Sequence, residues 1–264
     1  MTLALIAGRG GLPAALVSAL PQRPLVAGLD GFAPEDLATD MTFRIERMVP
    51  FLRALEDAGV TQVAFAGAVQ RPRLDPSLFD PQTAQMVPRL LAAMQAGDDA
   101  TLREVLAIFE DSGFAIVGIA DIAPGLVPGA GVLCGAVTPQ LDRDATRAAA
   151  IVAALGAVDV GQGCVVAQGL CLAVEALPGT DAMLAHVAGL RAVSPDPTGG
   201  LFYKAAKPGQ DRRIDLPTLG PDTVDAAAKA GLAGIAWAAG EVICLDVSSM
   251  VARASAQGLF LWAR

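Results

Sequence analysis

The sequence predicts an α/β protein of two domains. The N-terminal domain is expected to be Rossmann-like, a parallel sheet with helices on both faces, and the C-terminal domain a mixed α/β unit. Three observations predict this. Short apolar runs alternate with amphipathic stretches through the first half, the pattern of strand–helix–strand units. Those runs are nearly continuous in apolarity, as in strands buried on both faces. The texture then changes after a Pro/Gly-rich segment, and 264 residues divide more comfortably into two domains than one. The expected boundaries are 1–130 for the first domain, 131–142 for a linker and 143–264 for the second.

In chain order, LALIAG (3–8), PLVAGLD (24–30), QVAFAG (62–67) and FAIVGI (114–119) read as strands. Between them PAALVSAL, VPFLRALEDAG, AQMVPRLLAAMQ and DATLREVLAIFEDSG read as helices. Gly59 and Gly113 stand where helix C-terminal glycines are expected. Beyond the linker, DRDATRAAAIVAALGA is an amphipathic helix, and GCVVAQGLCLAVEA (163–176) suggests two strands joined around Gly169. TDAMLAHVAGL is a short helix. After a charged stretch, TVDAAAKAGL, GIAWAA, EVICLD, VSSMVARASAQG and LFLWA read as helix, strand, strand, helix and strand.

Composition excludes several function classes. A net charge of -8 argues against broad nucleic-acid binding, which needs a basic face. An anionic ligand would need a local basic cluster. The four cysteines carry no C-x-x-C spacing and read as buried free thiols in a reducing compartment. Arg9 interrupts the N-terminal apolar run, which also lacks a basic leader, so no signal peptide is read there. The uncharged stretch 122–141 carries three prolines, too many for a spanning helix. The single histidine, His186, excludes multi-histidine metal sites and reads as a packed or surface side chain. Acid–base or metal chemistry then falls to carboxylates and lysines.

Four segments carry candidate chemistry. IAGRGGLPAAL places Gly8, Gly10 and Gly11 between a strand and a helix, where backbone N–H groups can approach a phosphate. It reads equally as a turn that is merely tight. With Asp30 about twenty residues on, it also allows an NAD(P)-binding oxidoreductase. AGAVQRPRLDP offers Arg71 and Arg73 after the third strand, which could meet a diphosphate or belong to a solvated loop. In AVEALPGTDAML, Thr180 or Asp181 caps a helix, but capping leaves Glu175 unexplained on an apolar strand. In a chain with 17% charged residues, KAAKPGQDRRIDLP puts Lys204, Lys207, Asp211, Arg212, Arg213 and Asp215 into one stretch. By spacing alone, mutual pairing on a solvated loop is the better reading. A cation clamp for phosphoryl transfer is the other.

These residues also carry a resemblance. KAAKPGQDRR followed by DLPTLGPDT is similar to the signature of the two-domain UDP-2,3-diacylglucosamine pyrophosphatases of lipid A biosynthesis, the type found in alphaproteobacteria and some other bacteria. IAGRGGLP, AGAVQRP, GDDATLREV, DVGQGCVV, VEALPGTDAML and AGLAGIAWAAGEVICLD extend the match, in order, over nearly the whole length. The resemblance implies a Mg²⁺-dependent hydrolase that splits UDP-2,3-diacylglucosamine into UMP and 2,3-diacylglucosamine 1-phosphate (lipid X), with water attacking the sugar-side phosphorus. It further implies a cytoplasmic enzyme in peripheral contact with the inner membrane, with two domains enclosing the lipid substrate; homodimerisation is left open. Carried over by residue, Asp215 is the expected catalytic carboxylate, as metal ligand or water-orienting group, and Asp225 a weaker second. Glu175 and Asp181 are further metal or water-positioning candidates. Lys204 and Lys207 should neutralise the diphosphate, supported by Gln210 and Arg213. Gly8, Gly10 and Gly11 should face the nucleotide, and Arg71 and Thr180 complete the expected substrate contacts. A non-catalytic lipid- or nucleotide-binding protein is the remaining alternative.

Overall fold

The computed structural model describes residues 2–69, 73–194 and 198–264. It divides into two compact units, Met1–Pro124 and Gly125–Arg264.

The first unit runs β1 (Thr2–Ala7), α1 (Leu12–Ala19), β2 (Leu25–Leu29), β3 (Met41–Phe43), α2 (Met48–Asp57), β4 (Val60–Ala66), α3 (Val87–Ala96), α4 (Asp98–Asp111), β5 (Ala115–Ile116) and α5 (Ile119–Ile122). Its five strands are all parallel, in the order β3-β2-β1-β4-β5. Successive side chains on a strand point to opposite faces. Ala4, Leu5, Ile6 and Ala7 of β1 are nevertheless all buried, as are Val63, Ala64, Phe65 and Ala66 of β4. Both faces are therefore covered, which explains the unbroken apolar runs. Aromatic rings fill part of the core: Phe43 stacks on Phe51 at 4.0 Å, and Phe65 meets Phe109 edge-on at 5.2 Å. Gly59 and Gly113 take positive φ just past α2 and α4, where a left-handed residue lets a helix end.

The second unit runs β6 (Gly131–Cys134), α6 (Pro139–Ala157), β7 (Gly163–Ala167), β8 (Leu170–Val174), α7 (Gly179–Val193), β9 (Leu201–Lys204), β10 (Thr218–Leu219), α8 (Pro221–Lys229), β11 (Gly234–Trp237), β12 (Ile243–Cys244), α9 (Val247–Ala256) and β13 (Phe260–Ala263). Its main sheet has the order β6-β13-β11-β9-β7-β8. β9, β11 and β13 are parallel, while β6, β7 and β8 pair antiparallel with their neighbours. β10 and β12 form a separate parallel pair. Strand alternation sorts the core into two layers. Cys164, Val166, Leu201, Tyr203, Ala236 and Phe260 pack toward Leu141, Ala145, Ala148 and Val152 of α6. Val165, Phe202, Ile235, Trp237 and Leu261 pack toward α7, α8 and α9.

The β7–β8 hairpin turns at Gln168–Gly169, both at positive φ. Asp144 of α6, itself buried, accepts from their two amides at 3.0 and 2.7 Å. Residues 131–142, expected as a linker, instead contribute the edge strand β6 and the first turn of α6. Glycine and proline there mark turns flanking a four-residue strand. Of the cysteines, Cys164 and Cys244 are buried, and burial pushes the Cys244 thiol up to about 12. Cys171 is exposed on β8, against the expectation of burial, because none of the side chains of that edge strand is buried.

Candidate active site

Open α/β sheets present ligands at the carboxyl ends of their parallel strands, and β9 ends on a charge. Alternation places Lys204 on the Phe202 face, toward α7. There its Nζ donates to Thr180 Oγ1 at 2.6 Å and to Glu175 at 3.2 Å (Oε2) and 3.4 Å (Oε1). Nζ also lies 5.9 Å from the centre of the Phe202 ring. Lys204 is 6% exposed and the Glu175 side chain 13%. Removing an ammonium from water costs several kcal/mol unless it is paired, so Glu175 is what allows a lysine at this depth.

Two glycines make the room. A methyl group at Gly163 would stand 2.7 Å from Glu175 Oε2 and 2.7 Å from the Phe202 ring. At Gly161 it would stand 2.0 Å from the Glu175 carbonyl oxygen. The Glu175 amide donates to the Gly163 carbonyl at 2.8 Å. The GQG sequence at 161–163 thus lets the end of β8 lie against the start of β7 with a carboxylate between them.

Thr180 forms part of the wall of a cavity of about 390 Å³, which Pro178, Asp181, Thr218, Gly220, Asp222 and Thr223 also line. The first turns of α7 and α8 both border it. Their N-cap residues, Pro178 and Gly220, have no side chain that caps the helix, and two positive helix termini meet there. Asp181 and Asp222 add negative charge in the same two turns. Asp222 also pairs with Arg253 at 3.2 Å.

After β9 the chain enters the charged loop, and most of its charges are paired. Lys207 Nζ donates to Asp159 at 2.6 Å, Arg213 to Asp211 at 2.7 Å, and Arg212 to Glu241 at 2.7 Å. The loop rests on α6, where Gly156 has no room for a methyl group beside Pro208 (2.6 Å). Gln210 ties the loop internally: its Oε1 accepts from the Lys207 amide at 3.0 Å, and its Nε2 donates to Asp215 Oδ2. Asp215 is half-buried at the approach to β10.

Comparison with known proteins bears on both halves of the chain. Residues 2–126 match the LpxI N-terminal domain and residues 129–262 the LpxI C-terminal domain. The chain belongs to the LpxI family. It is 39% identical over 269 residues to the UDP-2,3-diacylglucosamine pyrophosphatase LpxI of Caulobacter vibrioides, covering 98% of this chain and 96% of that protein.

In this LpxI-family chain the remaining expected residues fall as follows. Asp225 lies away from Lys204, on the α8–α9 seam, where it accepts from Gln257 Nε2 at 2.7 Å and from Arg253. Those hydrogen bonds, Gln257 first, hold its carboxyl below the usual range. Gly8 is needed for a close backbone approach: a methyl group there would stand 2.6 Å from the Ala68 oxygen, and Arg9 and Ala68 exchange amide bonds at 2.9 Å. Gly10 (φ +93°) and Gly11 have open space around them, beside β1 and β4, where the strand order reverses and such folds take ligands. Asp30 pairs with Arg44 at 2.7 Å, both side chains being exposed. Arg71 lies outside the described residues. His186 is exposed on α7.

The three carboxylates expected to ligate Mg²⁺ do not form a ready-made centre. Among the described residues no group of three His, Cys, Asp or Glu side chains could hold a metal ion. Glu175 already faces the Lys204 ammonium, Asp215 is bonded to Gln210, and Asp181 is exposed at the cavity rim. Sequence reasoning missed β9 itself, and with it the Lys204–Glu175 contact and the clearance provided by Gly161 and Gly163. The visible signals were Glu175, unexplained by capping, and a short apolar-aromatic run ending on lysine.

Proposed function

We propose that this chain hydrolyses the diphosphate of UDP-2,3-diacylglucosamine, releasing UMP and 2,3-diacylglucosamine 1-phosphate. The whole-length likeness to the Caulobacter vibrioides pyrophosphatase carries this reading, and the buried lysine beside two helix N-termini agrees with it. In the reaction, a water oxygen bonds to the sugar-side phosphorus as the bond to the bridging oxygen breaks. UMP leaves with that oxygen, and the two protons of the water are released as the two phosphate monoesters ionise.

The chain's own groups divide the work. Lys204, behind Thr180, and the α7 and α8 amide ends supply positive charge for phosphate oxygens, because phosphoryl transfer is chiefly a charge-stabilisation problem. Lys207 is the second cation; its pair with the exposed Asp159 is a surface bridge worth under about 1 kcal/mol, so substrate can recruit it. Asp215, oriented by Gln210, positions the attacking water. Of the expected Mg²⁺ dependence, the donor set supports only an ion carried largely by the substrate's phosphate oxygens, since Mg²⁺ accepts one or two carboxylates with phosphates completing its shell.

Val158, Val160, Val174 and Leu177 are exposed large apolar residues on the segments flanking Gly161 and Glu175, and we assign them to acyl-chain or membrane-surface contact. Among the described residues no helix is long and apolar enough to cross a membrane. The test is direct: purified protein with UDP-2,3-diacylglucosamine and Mg²⁺ should release UMP and the sugar phosphate. Binding without release would favour the non-catalytic alternative.

A further inference from the structure

Glu175 has two readings that the geometry separates. As a metal ligand its carboxylate would have to be available to a cation from solution. Instead both its oxygens lie within 3.4 Å of Lys204 Nζ, and the side chain is 13% exposed. The opening it occupies is matched to it: Gly163 borders Oε2 and Gly161 borders the carbonyl, each too close for a methyl group.

We infer that Glu175 is a positioning residue that holds the Lys204 ammonium against Thr180 at the start of α7, and that Gly161 and Gly163 act through the same contact. The ammonium is fixed from three sides, by the carboxylate, by the Thr180 hydroxyl at 2.6 Å and by the Phe202 ring. An anion entering the cavity that Thr180 lines meets a charge that does not have to be gathered from solvent. Such preorganisation matters because a misplacement of about 1 Å can cost on the order of 10²-fold in rate. This inference rests on the proposed diphosphate chemistry, and the pyrophosphate titration below reads it without turnover.

The test is a double-mutant cycle. Lys204→Met should lower kcat by about 10²-fold and Glu175→Gln by about 10-fold, with KM moving less, as expected for interactions made mainly in the transition state. The double variant should match Lys204→Met alone to within about twofold, since coupled residues are not additive. Losses that multiply would show that Glu175 acts independently of Lys204 and would overturn the inference. Gly163→Ala keeps every charge and serves if Lys204→Met does not fold. It should reproduce the Glu175→Gln loss and add nothing to it, and additive losses would again overturn the positioning role.

The same cycles are read by calorimetric titration with inorganic pyrophosphate. No turnover of the UDP-lipid with coupled losses in pyrophosphate affinity would sink the activity and keep the positioning. Normal turnover with additive losses would do the reverse. A protein that neither turns over the UDP-lipid nor binds pyrophosphate overturns both.

Discussion

Two strand ends in this molecule are built on glycine, and they use it differently. At the end of β1, Gly8 brings two backbones together: it faces the Ala68 carbonyl, and the contact is closed by paired amide bonds. At the start of β7, Gly161 and Gly163 make space for a side chain, the carboxylate that faces the end of β9. The first arrangement fixes a turn and leaves Gly10 and Gly11 open to solvent. The second buries a charge pair, the Lys204 ammonium against the Glu175 carboxylate. A glycine motif therefore says that something comes close, but not what; the partner must be found elsewhere in the chain.

The largest expected effect breaks the second arrangement. Lys204→Met should lower UMP release far more than Gly11→Ala, which should change it by less than about tenfold because Gly11 has an ordinary helical φ and no neighbour lies within reach of the added methyl. Equal losses would erase the distinction between the two turns. Lys204→Met should also lower the unfolding free energy by about 3 kcal/mol, since it leaves Glu175 buried without its partner; urea denaturation reads this. Overpacking gives a second comparison, because Gly8→Ala and Gly161→Ala both push a methyl into backbone. Each should cost about 1–3 kcal/mol, but only Gly161→Ala should also depress kcat.

Much of the fold was legible in the sequence. The unbroken apolar runs of the first unit, the helix-ending glycines 59 and 113, and the hairpin around Gly169 follow from local chemistry and appear as expected. β9 and β6 were not legible. Each is four residues long and sits beside proline and glycine, too short for periodicity to register. The site was half legible. The 204–215 stretch stood out by charge; the mutual pairing expected of a solvated loop is seen for Arg213 with Asp211, whereas Lys207 and Arg212 pair with Asp159 and Glu241 outside the stretch. Lys204 differs because strand alternation turns it inward, which depends on knowing that 201–204 is a strand. Its partner lies 29 residues away, a distance no local pattern spans. Asp225 read as a weaker second to Asp215, and the structure places it on the seam between two helices.

Smaller effects sharpen the contrast between structural and chemical carboxylates. Chelation with EDTA should reduce turnover, with recovery on adding Mg²⁺, but leave the melting temperature unchanged, because among the described residues no group of three carboxylates is built ahead of substrate. A clear drop in melting temperature would point to a resident ion. Asp246 caps α9, and hydrogen bonds from the side chains of Ser249 and Ser248 and the Ser249 amide pull its carboxyl to about 2. A lowered folded value means that its contribution is present above the unfolded value near 4 and is lost as pH falls toward 2. Asp225, also lowered, loses its contribution in the same direction. Asp225→Asn should therefore flatten the acid side of the stability curve and leave turnover within about twofold, as followed by thermal melts from pH 6 downward.

The most direct test of the central claim is UMP release from UDP-2,3-diacylglucosamine by the wild-type chain beside Asp215→Asn and Lys204→Met. The wild type should release UMP and the sugar phosphate in equal amounts. Both variants should remain folded by circular dichroism and lose at least about 10²-fold in kcat. Wild-type rates from both variants would place the chemistry somewhere other than the end of β9 and the loop that follows it.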